Sequence, residues 1–276
     1  MRDKIARLDP ATDAREIVFL LGAWEFPWDI EKALEFALFR TYAVPSISGL
    51  LARTGEFEHR PAKRYDDTAL ILAEILEHGA DSDRGAAALA RMNAMHGRFR
   101  IANEDMLYVL STFVIEPIRW IARFGWRDLT PAETQAIFTF YRDMGVRMGI
   151  TDIPADITAY ERFNRDYEAR NFRRADSNAL VGSRTRDLLL GFYLPKRLIP
   201  MGRPVVHAMM DDPLRKAMGF PPAPRWLRAA VPAGLRLRAR VLRLLPPRRK
   251  PYLQTGKRRA TYPDGYEIDR LGTFPR

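Results

Sequence analysis

The chain has 276 residues, 47% of them apolar, enough for a sizeable core in one large body or two small ones. It has no cysteine, which excludes a disulfide framework, thiolate-bound metals and a cysteine nucleophile, and fits a reducing compartment such as the cytoplasm. The net charge is +11, yet residues 213–263 hold fourteen Lys and Arg and no Asp or Glu, so the rest of the chain lies near −3 and an anionic partner would meet one local segment.

The start, Met1-Arg2-Asp3-Lys4, has no hydrophobic run of the signal-peptide kind, and no window approaches the roughly 18 apolar residues of a membrane-spanning helix. Helical patterns then dominate. Residues 31–42 are rich in Ala, Leu and Phe and stop before Val44-Pro45; 67–78 close at Gly79; 84–96 close at Gly97, a residue suited to a left-handed helix end. Asn103 can cap the next helix, which should run to about residue 124, with Pro117 kinking or splitting it. Thr130-Pro131-Ala132-Glu133 is a capping box with proline at the first helical position, opening a helix to about residue 148.

Two further helices are expected over 155–169 and 177–193, and shorter ones over 205–210 and 213–218. Pro221, Pro222 and Pro224 break the chain; a last helix begins near Arg225, is interrupted at Pro232 and resumes over 235–245, and the tail beyond Pro246 reads as irregular. There is no βαβ alternation and no glycine-rich phosphate loop. The expected fold is all-α, a multi-helix body over 1–220 with a basic C-terminal helix and tail over 221–276.

Without cysteine, the metal-ligand candidates are His59, His78, His96 and His207, and none pairs with another at helical spacing. Glu56-x-x-His59 stands alone in an expected loop, so a di-iron bundle is poorly supported. A haem needs only one neutral imidazole in an apolar helical pocket. His96 follows an Ala- and Met-rich helix, with Met92 one turn earlier and Arg91, Arg98 and Arg100 near enough in sequence to meet propionates. From these residues alone the plainer reading of His96 is a helix cap favoured by the macrodipole.

Several segments resemble the family of bacterial and fungal rubber oxygenases and MpaB-type oxygenases. Ala37 through Ile47 is similar to its helix ending in a proline turn, Arg64-Tyr65-Asp66-Asp67-Thr68 to its Arg-x-x-x-Thr motif, and Arg91 through Arg98 to its histidine-bearing helix end. Met144 through Ile150 with Ile153-Pro154, and Pro213 through Trp226, extend the likeness over about residues 30–230. The resemblance implies an all-α domain enclosing haem b, with His96 holding the iron, Arg64 and Thr68 beside it, dioxygen as co-substrate, an external electron donor, and a small hydrophobic substrate of isoprenoid or lipid kind. Alternatively, Arg64 makes a surface salt bridge with Asp66 or Asp67 and Thr68 is an ordinary helix position. Where many relatives have histidine before the proline this chain has Val44, and Asp67 stands where rubber oxygenases carry a lysine; Glu56 and Glu58 are near the place of a family glutamate without matching its register.

Phe113, Ile115, Ile118, Trp120 and Ile121 read as packing residues, and Glu116 with Arg119 as a buried pair or a pocket contact. In the last helix Arg236, Arg240 and Arg243 form a basic stripe beside an apolar one of Leu235, Ala239, Leu242 and Leu245. That stripe docks on the body or meets an anionic membrane surface, with docking preferred and residues 248–250 and 257–259 left as flexible electrostatic contacts. The competing reading is a non-catalytic binding protein using this basic segment on a membrane or nucleic acid, although no nucleic-acid recognition signature is present.

Overall fold

The computed structural model describes residues 1–273, so the last three residues of the expected tail lie outside it. Two short helices, α1 (Arg2–Ile5) and α2 (Ala14–Leu20), lead through a π-helical turn at Leu21–Glu25 into α3 (Pro27–Tyr42) and α4 (Pro45–Arg53). Then come α5 (Glu56–His59), α6 (Pro61–His78), α7 (Asp83–His96), α8 (Asn103–Phe124) and α9 (Pro131–Arg147). The chain continues through α10 (Ile157–Asn171), α11 (Asp176–Gly191), α12 (Ile199–Met209), α13 (Asp212–Ala217) and α14 (Arg225–Leu242). Among the described residues the only β-type pairing is an isolated bridge between Arg259 and Tyr262, so the fold is all-α as the periodicity predicts.

Local chemistry sets the helix starts. Thr130 accepts from the Glu133 amide while the Glu133 carboxylate accepts from the Thr130 amide, the reciprocal box read from the sequence. Ser82, Asp156 and Asp211 cap α7, α10 and α13 through the amides of Gly85, Ala159 and Leu214. Asn103 does not cap α8; its amide group exchanges two hydrogen bonds with the Thr151 backbone and ties the loop after α9 to the start of α8. Gly97 is right-handed at φ −62°, so the end of α7 needs no glycine conformation. Gly79 supplies the expected punctuation, ending α6 at φ 88°.

Pro117 and Pro232 neither split nor end their helices: α8 and α14 run through them. Each proline removes one backbone donor, and tertiary packing supplies the rest, with Pro117 buried in the seam of α8. Residues 56–59, expected as loop, form the short α5, and α2 and α4, which open at Asp13 and Pro45, are helices beyond those expected from the sequence.

α8 is the axis of the packing, lying against α3, α9 and α10, with Phe113, Ile115, Trp120 and Ile121 buried as expected and Ile118 half-buried against them. Glu116 and Arg119 pair at 2.9 Å, and Arg119 reaches on to Asn164 and Glu161. Arg40, on α3, ties α10 and α13 to this seam through Glu168 and Asp211. The Asn178 side chain donates to the carbonyls of Ala43, Arg173 and Ala217 and so joins α11 to the α3–α4 and α13 ends. Helix α14 docks on α8 and α12 through Leu235, with Ala239 buried, while Arg238 lies over the Trp28 ring and pairs with Asp29 at 2.9 Å.

The tail is irregular, but residues 252–273 are strapped to the body and are not a free electrostatic arm. The Tyr252 amide donates to the Ala23 carbonyl, in the π-helical turn. Lys257 pairs with Glu31 at 3.0 Å, Arg259 with Asp66 at 2.5 Å, and Gln254 and Thr255 hold Glu77. The Tyr262 hydroxyl donates to buried Asp67, which also accepts from Lys63, and the Tyr266 hydroxyl donates to buried Glu74. Leu271 is fully buried at the end of this strap.

Candidate active site

Helices α3 to α9 and α11 enclose a cavity of about 1500 Å³, larger than the roughly 300–1,000 Å³ of an ordinary small-molecule pocket. Its wall is mainly apolar, with Met92, Met95, Phe99, Val109, Phe113 and Met144 among the contributors. A smaller cavity of about 300 Å³ adjoins it and shares His96 and Phe99.

His96 sits at the last residue of α7 and faces this space. Its Nδ1 is enclosed and has no hydrogen-bond partner, so the ring is not capping the carbonyls of its own helix. Burial lowers its pKa to about 4, with the nearby Arg64 guanidinium adding to the shift. At neutral pH the imidazole is therefore uncharged and its lone pair is available, which is the form a metal needs. A lowered pKa works against the charged cap that sequence position suggests.

Arg64 and Thr68 lie one turn apart on the cavity face of α6. The Arg64 guanidinium donates to the Thr68 hydroxyl, which donates in turn to the Arg64 carbonyl at 2.9 Å. Arg64 does not pair with Asp66 or Asp67, because the strap and Lys63 occupy those carboxylates. Arg98 and Arg100 line the cavity; Arg91 does not, and its Nε donates to the Leu271 carbonyl at 2.7 Å.

The cavity also gathers groups that sequence reasoning passed over. Glu35, buried on α3, accepts from Lys32 at 2.6 Å and from the Tyr65 hydroxyl at 2.8 Å. Burial works against the Lys32 ammonium, but Glu35 and Glu31 outweigh it and hold its pKa above the ordinary range. Burial pushes Tyr42 up to about 12, so it remains a phenol and a hydrogen-bond donor at the cavity wall. Glu35, Leu38 and Tyr42 fall at i, i+3 and i+7, so the readable signal was a carboxylate set into an otherwise apolar helix face. His59 also lines the cavity, and Glu56 beside it is held by Arg60. His78 sits on Glu74 at 3.4 Å, and His207 is buried against Phe220 and Arg186, away from the cavity.

The two departures from the family pattern have structural uses. Val44 packs with Tyr108 and Tyr167 in a small buried cluster, and Asp67 anchors the strap. Neither lines the cavity.

Comparison with known proteins agrees with the motifs. The family model described as ER-bound oxygenase mpaB/B'/rubber oxygenase, catalytic domain, matches residues 36–244. The chain belongs to this family. It is 36% identical over 244 residues to the ER-bound oxygenase mpaB' of Penicillium brevicompactum, covering 82% of this chain and 57% of that protein. It is 35% identical over 212 residues to the ER-bound oxygenase mpaB of Penicillium roqueforti (strain FM164), covering 70% of this chain and 71% of that protein. The match to the family begins in α3 and runs to the end of α14, so it takes in every helix that builds the cavity. The family is described as one of oxygenases, and the chain spans little more than half the length of the mpaB' relative it matches.

The resemblance of the motifs implies a haem in this cavity. Among the described residues, no three His, Cys, Asp or Glu side chains are grouped to hold a bare metal ion. One neutral histidine with an orphaned Nδ1, in an apolar enclosure with arginines on its wall, suits a metal that arrives in its own macrocycle. These residues fit a haem.

Proposed function

We propose that this protein is a haem-dependent oxygenase acting on a small hydrophobic substrate, isoprenoid or lipid-like, with His96 as the iron ligand. The observation that carries this is His96, held neutral with an enclosed Nδ1 at the wall of an apolar cavity of about 1500 Å³. Haem b, when bound, supplies the iron at which dioxygen is activated, with electrons from an external donor. The chain's own residues divide the remaining work. His96 gives its lone pair, Arg98 and Arg100 offer fixed cations to the propionates, and the methionine- and phenylalanine-rich wall excludes water and holds an apolar chain. Arg64 and Thr68, locked to each other, keep a cation and a hydroxyl directed at the reacting end of the cavity. Tyr42 holds a proton on its phenol oxygen there. The names of the relatives place those proteins at the endoplasmic reticulum; for this chain we propose peripheral attachment to a membrane from the cytoplasmic side. No helix among the described residues is long and apolar enough to cross a membrane.

The absorption spectrum of protein expressed with ample haem supply tests the proposal. A Soret band that shifts on reduction and with carbon monoxide is expected, and His96→Ala should lose it while keeping the wild-type circular dichroism. A protein that stays colourless after haem addition, or full haem content in His96→Ala, overturns it.

A further inference from the structure

Helix α14 has two apolar faces, and only one of them is used inside the molecule. Leu235 packs against the cluster of Trp28, Trp120 and Phe124, and Ala239, one turn on, is buried. Trp226, Ala230, Ala233, Leu237 and Val241 recur at i, i+4, i+7, i+11 and i+15, one line on the opposite side. Trp226 is 68% exposed and Leu237 60%, and Leu244, in the turn that follows, is 85% exposed. An apolar row left in water along the helix, with Trp226, Leu237 and Val241 large and exposed among its alanines, costs hydration free energy and requires an explanation that a lone surface leucine would not.

The charges beside this row identify what it fits. Arg225, Arg236 and Arg240 flank it on one side and, among the described residues, form no ion pair. Arg248, Arg249 and Lys250 follow directly and are exposed. No acidic residue occurs between Pro213 and Pro263, so nothing on the segment neutralises them. Other cations of this segment are spent inside the protein: Arg238 on Asp29, Lys257 on Glu31 and Arg259 on Asp66. What remains is an exposed apolar row with a tryptophan, bordered by free arginines, on a helix already fixed to the body by its other face. A second copy of the chain would bring the same arginines against themselves; an anionic lipid surface complements both the charge and the apolar row.

We propose that the outer face of α14 is a docking surface for an anionic lipid bilayer, with Trp226, Leu237, Val241 and Leu244 entering the interface and Arg225, Arg236 and Arg240 at the level of the headgroups. This deepens the peripheral-membrane part of the proposed function and is independent of haem. Helix α12, packed against α14, adds the exposed Met201, and the connection before it exposes Phe192, whose ring lies 5.3 Å from that of Tyr65 at the cavity wall.

Flotation of the full chain with vesicles tests this, using phosphatidylcholine alone and phosphatidylcholine with phosphatidylserine. Binding to the phosphatidylserine vesicles is expected to be at least about tenfold stronger and to weaken with salt. The triple variant Leu237→Ser, Val241→Ser, Leu244→Ser alters only exposed side chains and should lose that binding while keeping its thermal midpoint and haem spectrum. Arg236→Glu with Arg240→Glu should lose the preference for phosphatidylserine. Equal binding by the triple variant shows that the chain uses another face and overturns the assignment to α14 alone. No binding by the wild type overturns peripheral attachment as well. A dimer in gel filtration that the triple variant converts to monomer shows that the face is a contact between copies and likewise overturns the proposal. None of these outcomes bears on whether His96 holds haem.

Discussion

Acidification should destabilise the haem-free protein through His96, and the size of the effect follows from its surroundings. An unstrained histidine has a pKa of 6.5, and burial, aided by Arg64, brings His96 to about 4. Between those two pH values the unfolded chain takes up a proton that the folded chain refuses. Stability is therefore unaffected by this group above pH 6.5, falls as the pH drops through the window from 6.5 to 4, and levels off below it. At 1.36 kcal/mol per pH unit the full loss is about 3 kcal/mol, an upper figure because the ring retains some access to the cavity. His207, buried against Phe220 and Arg186, is also lowered to about 4 and adds a loss of the same order over the same window. The His96→Gln variant separates the two. Urea unfolding midpoints taken from pH 7 to pH 4 should give a wild type that loses about 3 kcal/mol more than the variant. Arg64→Gln should recover part of the difference, since it removes the second cause. Identical pH slopes for wild type and His96→Gln, or a His96 proton resonance titrating at 6.5 or above, would refute a neutral ligand-ready imidazole.

Three further outcomes follow from packing and capping. A Cβ at Gly85 would overlap the Gly79 carbonyl, a backbone atom that cannot swing aside, so Gly85→Ala should cost about 1–3 kcal/mol of stability, read by thermal denaturation. Tyr262→Phe leaves the buried Asp67 with Lys63 alone; it should cost about 1–3 kcal/mol and open the strap over residues 252–273 to limited proteolysis. Thr130→Ala removes one half of the capping box on α9 and should lower stability by about 1 kcal/mol in urea without changing the haem spectrum.

The parts of this molecule that could be read from its sequence are those encoded locally. The capping box at Thr130, the stop at Gly79 and the one-turn spacing of Arg64 and Thr68 are short-range patterns, and each has its expected consequence. The interruption expected at Pro232 does not occur, because a proline's penalty is local while the packing that offsets it is not. Glu35 escaped notice for a related reason. A carboxylate in an apolar helix face is costly by itself, and only the fold brings Tyr65 from α6 to share it with Lys32.

The basic C-terminal segment shows how the same residues divide once partners are known. Read as composition, its fourteen cations form one block with one fate. In the fold, their roles are set by what faces them. Asp66 and Asp67 looked like local partners for Arg64, yet they take Arg259 and Tyr262 from the strap, and Arg64 is left to turn into the cavity with Thr68. Asp29 takes Arg238 and fixes α14 to the body with its other flank outward. Part of the body's acidic charge thus lies where the strap and α14 attach, and the cations left over include Arg236 and Arg240, which border Leu237 and Val241. Removing Asp29 and Asp66 together, as Asp29→Asn with Asp66→Asn, would loosen both attachments without touching the outer face of α14. Retained binding to phosphatidylserine vesicles with a lowered thermal midpoint is expected of that variant; retained stability with lost binding would mean that the pairing serves the surface and not the fold.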